Sequence, residues 1–146
     1  MAASDPSLPL VTVTVLVVDD RAMARRIASR MLSEEGYRVL EADGPDEALD
    51  VLAQARGRVD LVLLDVVLRG GDGVALGRAI REHWPDRRLL YMSAFPAEVM
   101  MQYGLKTLDV PFLAKPFTRA ELIAKVEEAL ARGEGAAPNR RRRARS

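Results

Sequence analysis

LVLLDVVLRGGDG, residues 61–73, runs four apolar residues into a carboxylate, Asp65, and three more apolar residues toward a loop holding Gly70, Gly71 and Gly73. A short continuous apolar run bounded by glycines reads as a strand buried on both faces. A carboxylate at the end of such a strand is costly unless something pairs with it. Its partners must therefore come from elsewhere in the chain.

The same pattern recurs on either side. VTVTVLVVDD (11–20) alternates Val with Thr, becomes continuously apolar and stops at Asp19-Asp20. RAMARRIASRMLSEEG (21–36) places Met23, Ile27, Met31 and Leu32 at helical spacing and ends at Gly36, a helix stop. YRVLEA is a short second strand, and PDEALDVLAQAR a helix with Pro45 in its first turn. VDLVLLD is the third strand, followed by the helix GVALGRAIREHW. RRLLYMS, PAEVMMQYGL, VPFLAK and TRAELIAKVEEALARG supply a fourth strand, a short fourth helix, a fifth strand and a fifth helix. Thr118 and Glu121 form a capping box at the start of the fifth helix.

Strands alternating with helices predict an α/β domain of the (βα)5 kind, a doubly wound five-stranded parallel sheet. Right-handed crossovers put helices on both faces. The expected domain spans residues 11–132. Residues 1–10 and the Arg-rich stretch 133–146 lack apolar periodicity and read as disordered.

Composition narrows the chemistry. The 146 residues suit one domain, and 49% hydrophobic content supplies a core. With no cysteine, disulfides and thiolate chemistry are excluded. No apolar run reaches the roughly 18–20 residues of a membrane span, and the N-terminus lacks a signal-peptide pattern. The expected location is cytoplasmic. The net charge of +1 conceals an asymmetry: residues 132–146 hold six Arg against one Glu, which leaves the rest of the chain acidic.

In open α/β sheets the functional crevice lies at the carboxyl ends of the strands. Strand 1 ends in Asp19-Asp20, strand 3 in Asp65, strand 4 in Ser93 and strand 5 in Lys115-Pro116. Strand 2 ends in Glu41-Ala42 and is read as an edge. Three carboxylates at one sheet edge repel each other. An all-oxygen set without His or Cys suits Mg²⁺, with Mn²⁺ the alternative, rather than Zn²⁺. Three acids, a hydroxyl, an ammonium and a hard metal suit phosphoryl transfer. One carboxylate can act as the nucleophile and form an aspartyl phosphate.

LVVDD, LVLLDV, YMSAF and FLAKPF, in this order and spacing, resemble the receiver domain of two-component response regulators over roughly residues 12–131. The resemblance implies a flavodoxin-like sheet of order 2-1-3-4-5, the order that chemotaxis-type receivers exemplify. It implies Asp65 as phosphoacceptor and Asp19, Asp20 and Asp65 as metal ligands, joined by the backbone carbonyl of Val67. It also implies Ser93 as the switch hydroxyl with the small Ala94 after it, Lys115 as the phosphate-binding lysine before a cis Pro116, and Phe112 in the place of the switch aromatic. A sensor histidine kinase or phosphotransfer protein would supply the phosphoryl group. Phosphorylation would shift a face built from the fourth helix, fifth strand and fifth helix. Such a chain catalyses only its own phosphorylation and dephosphorylation, as a monomer or a phosphorylation-dependent dimer.

YMSAF and KPFT are similar to receivers attached to hybrid histidine kinases, so a stand-alone protein and an excised fragment both fit. The residues after the fifth helix are too few for an output domain, so the expected output is a protein contact or a relay. The sequence departs from the common pattern after the nucleophile. Leu68-Arg69 stands where many receivers have Met-Pro, and Val67 and Phe95 are apolar at positions that tune dephosphorylation. Phe112 lacks a hydroxyl, so any rotamer switch there rests on packing. Two other functions compete: a constitutive interaction module, and a regulator whose Arg-rich tail binds nucleic acid or another anionic partner. No DNA-reading module is visible, so specific DNA binding is not expected.

Overall fold

The structure, a computed structural model, describes residues 12–69, 71–94 and 111–132. Five parallel strands form the main sheet: β1 (Thr14–Val18), β2 (Arg38–Ala42), β3 (Leu61–Asp65), β6 (Arg88–Ser93) and β7 (Phe112–Ala114). Their order is β2-β1-β3-β6-β7. This is the order 2-1-3-4-5 once a small hairpin, β4 (Val67–Leu68) with β5 (Gly71–Asp72), is set aside. That hairpin lies in what the sequence presents as a glycine-rich loop. The helices are α1 (Ala22–Glu34), α2 (Pro45–Ala55), α3 (Gly73–His83) and α4 (Arg119–Arg132).

The predicted fourth helix (96–105), Phe95, Gly70, residues 1–11 and residues 133–146, which include Gly133 at the end of the predicted fifth helix, fall outside the described residues. The face expected to shift on phosphorylation is therefore described only in β7 and α4.

The three central strands, β1, β3 and β6, are apolar between their ends because both faces are covered. On one face Leu16, Val18, Val62 and Leu64 pack with Ala48 and Leu52 of α2 and Val74 and Ile80 of α3. On the other, Val15, Val17, Leu61, Leu63, Leu90 and Met92 pack with Ala28 and Leu32 of α1 and Leu122 and Val126 of α4. Alternate residues of each strand feed alternate faces. The register pairs Val18 with both Ala42 and Leu64, Asp65 with Met92 and Ser93 with Ala114. It brings the carboxyl ends of β1, β3, β6 and β7 to one edge.

The helix ends follow their local chemistry. Pro45 opens α2. The Glu121 carboxylate accepts from Thr118 N–H at 2.8 Å, and Glu121 N–H donates to Thr118 Oγ1 at 3.1 Å, a complete capping box. Asp72 caps α3, accepting from Val74 and Ala75 N–H. The turn after α1 contains Gly36 at φ 97°, a left-handed conformation that glycine adopts freely.

The expected apolar face of α1 needs correction. Met23 is 75% exposed and Ile27 49%, while Ala28, Ser29 and Leu32 are buried. Leu32 shares the contact stripe with the smaller Ala28 and Ser29, the partly buried Met31 packs beside them, and Met23 and Ile27 are left at its margin.

Candidate functional site

Asp65 ends β3 with its side chain almost buried. Its Oδ1 accepts the Val67 N–H at 2.9 Å, and its Oδ2 lies 2.6 Å from Lys115 Nζ. Asp19, fully buried, accepts from the same ammonium on Oδ2 at 3.0 Å and from Arg21 N–H on Oδ1 at 2.9 Å. Lys115 therefore bridges the ends of β1 and β3 from the loop after β7. Burial pushes the Asp65 carboxyl up, against the Lys115 and Val67 hydrogen bonds that pull it down. Burial alone would lower Lys115, but hydrogen bonds and charge from Asp65 and Asp19 more than offset this and raise it. An ammonium between two carboxylates stays charged.

Asp20 turns elsewhere. Its Oδ2 accepts the Arg69 N–H at 2.6 Å, from the turn of the β4–β5 hairpin. Among the described residues, no group of three acidic, His or Cys side chains converges as a ready metal cage. The donor chemistry of Asp19, Asp20 and Asp65 is that of a hard-cation site, with cationic groups of the protein on its oxygens.

The remaining predicted residues are distributed around this cluster. Ser93 is buried at the end of β6, and its carbonyl accepts the Lys115 N–H at 2.9 Å. Ala94, next to it, is exposed. Phe112 packs against Tyr91, its register partner, with ring centroids 5.6 Å apart. The Lys115–Pro116 peptide is cis. Val67 is 62% exposed beside Asp65.

Several residues escaped the sequence reading. Arg25 donates to the Asp19 carbonyl and to Glu41, both at 2.9 Å, and so ties α1 to the ends of β1 and β2. Gly73 brings the start of α3 directly against β3. A Cβ there would lie 2.7 Å from Val66 Cα and closer still to the Asp65 carbonyl oxygen. An Asp immediately before an apolar helical pattern is a capping signal, so Asp72 was findable. The Arg25 and Gly73 contacts carried no such local signal.

The family model for the response regulator receiver domain matches residues 15–127. The chain belongs to that family. Such receivers are signalling modules of two-component systems. The chain is 34% identical over 117 residues to the sensor kinase CckA of Brucella abortus, covering 80% of this chain and 12% of that protein. It is 33% identical over 118 residues to the transcriptional regulatory protein ResD of Bacillus subtilis, covering 81% of this chain and 48% of ResD. The match thus spans less than half the length of either relative. Among solved structures, the receiver domain of hybrid histidine kinase CckA superposes with a TM-score of 0.66 at 31% identity, covering 80% of this chain and 97% of that one. Chemotaxis protein CheY4 of Vibrio cholerae superposes with a TM-score of 0.73 at 25% identity, covering 81% and 98%. Among the described residues no helix is long and apolar enough to cross a membrane.

Proposed function

We propose that this receiver accepts a phosphoryl group on Asp65 from a histidine kinase or phosphotransfer protein, with Mg²⁺ as cofactor. The observation that carries the reading is the Asp65–Lys115–Asp19 cluster at the carboxyl edge of the sheet. An Asp65 carboxylate oxygen attacks phosphorus, the N–P bond of the donor phosphohistidine breaks, and the imidazole leaves with the electron pair. Lys115 is placed to neutralise charge that builds on the phosphoryl oxygens. Asp19, Asp20, Asp65 and the Val67 carbonyl would hold the cation, which when bound offsets the negative charge of the acids and the phosphoryl group. Ser93 would donate to the phosphoryl group. Phe112 would then follow by repacking against Tyr91, the output being a contact made by β7 and α4 with the segment before them.

The donor would approach over α1. Met23 and Ile27 stand exposed on its first two turns, directly after Asp19-Asp20, with Arg26 and Arg30 beside them. With Val67 they are the exposed large hydrophobic residues among those described.

Acetyl phosphate with Mg²⁺, followed by intact mass, tests the reading. One added phosphoryl group is expected, dependent on Mg²⁺ and absent in Asp65→Ala. No adduct under conditions that modify a known receiver would overturn it in favour of a constitutive interaction module.

A further inference from the structure

Lys115 serves Asp19 and Asp65, while Asp20 is held by a different group. Arg69 sits in the turn between β4 and β5, whose strands pair Val67 with Asp72 and Leu68 with Gly71. Its N–H donates to Asp20 Oδ2 at 2.6 Å, and its guanidinium Nε lies 3.7 Å from the same oxygen. The Asp20 side chain is 15% exposed and that of Arg69 83%, so the carboxylate is sheltered and its counter-ion free to leave. One oxygen thus carries both a charge-assisted hydrogen bond and an ion pair.

A divalent cation bound through Asp20 draws on the same carboxylate and places two positive charges beside the guanidinium. We propose that Arg69 is the resident counter-ion of Asp20 and competes with Mg²⁺ for it, so that cation binding releases the β4–β5 turn. The inference rests on Asp20 being a metal ligand, as proposed above. It adds a regulator of that site that lies outside the acid cluster itself. The hairpin also carries Asp72, the cap of α3, and leads into Gly73, packed on Asp65. Release at Arg69 would therefore be felt at the start of α3. By linkage, whatever holds the turn closed weakens the cation by the same factor.

The two components can be separated. Arg69→Ala removes the guanidinium and keeps the N–H. Arg69→Pro removes both, at a turn position that proline commonly takes. Mn²⁺ binding followed by electron paramagnetic resonance, with Mg²⁺ as competitor, reads affinity without phosphorylation. Arg69→Ala should tighten binding by about three- to fivefold, the scale of an exposed ion pair. Arg69→Pro should tighten it further, about tenfold. Arg26→Ala, which removes an exposed cation near Glu41, is the control for net charge and should change affinity less than about twofold. In the wild type, hydrogen exchange at the Arg69 amide should accelerate when Mg²⁺ is added. Equal affinities for Arg69→Ala and Arg26→Ala, or an Arg69 amide indifferent to Mg²⁺, would overturn the proposal. If phosphorylation proceeds while either of those holds, only this inference fails. If no variant binds Mn²⁺ and no adduct forms, the reading of the site fails with it.

Discussion

Lys115 Nζ lies 2.6 Å from Asp65 Oδ2, joining residues 50 positions apart in the chain. Burial nevertheless raises the Asp65 carboxyl above its ordinary value of 3.8. A carboxyl whose value is raised in the fold favours folding when protonated. Its contribution is complete below pH 3.8 and is lost as pH rises through the folded value. Asp65→Asn removes that loss. The variant should melt at higher temperature than the wild type near pH 7, and the gap should close toward pH 3.8. Thermal denaturation across this range checks it. A constant gap would mean that packing, not ionisation, separates the two proteins.

Removing the other partner should act in the opposite direction. Lys115→Ala leaves two sheltered carboxylates facing each other without their ammonium. Breaking one partner of a buried pair costs about 3 kcal/mol, and the partial exposure of Lys115 puts the expected loss at or below that. Urea denaturation of Lys115→Ala, Asp65→Asn and the double variant should show the second substitution restoring part of the first one's loss. Strict additivity would deny the coupling.

Two glycines are predicted to be steric requirements. Gly73→Ala would push a methyl into the end of β3. The expected cost is about 1–3 kcal/mol, the range for overpacking, with amide shifts centred on Asp65 and Val67. Gly77 in α3 leaves room for the Tyr91 hydroxyl, which a Cβ at residue 77 would strike. Gly77→Ala should destabilise the fold, and adding Tyr91→Phe should recover part of the loss because the hydroxyl is the nearest obstacle. No recovery would place the clash elsewhere.

The exposed edge of α1 separates docking from chemistry. Ile27→Asp should leave phosphorylation by acetyl phosphate within about twofold, since exposed substitutions perturb stability little. Transfer from a phosphorylated kinase or phosphotransfer protein should slow about tenfold or more, as for truncating a central apolar contact. Equal slowing with both donors would point to damage at Asp65 rather than at a docking face.

The order of the five main strands and of the described helices was legible because buried strands are largely apolar and helices alternate with them. The carboxyl-edge residues were legible for the same reason: Asp19, Asp20, Asp65, Ser93 and Lys115 each sit where an apolar run stops. The α1 stripe was legible only at Met31 and Leu32, since Met23 and Ile27 look like core by spacing while Ala28 and Ser29 join Leu32 in the contact. The hairpin after Asp65 was not, since its glycines carry no strand pattern.

By itself the sequence determined which segments could be buried on both faces and which polar groups would fall at their ends, because burial depends on local composition and period. Tertiary structure alone decided that Lys115 bridges Asp65 and Asp19, that Arg69 holds Asp20, and that Gly73 and Gly77 must lack side chains. Those are distances of a few ångströms between separate elements of the fold, and they exist only after the sheet has set its register and the helices have closed over it.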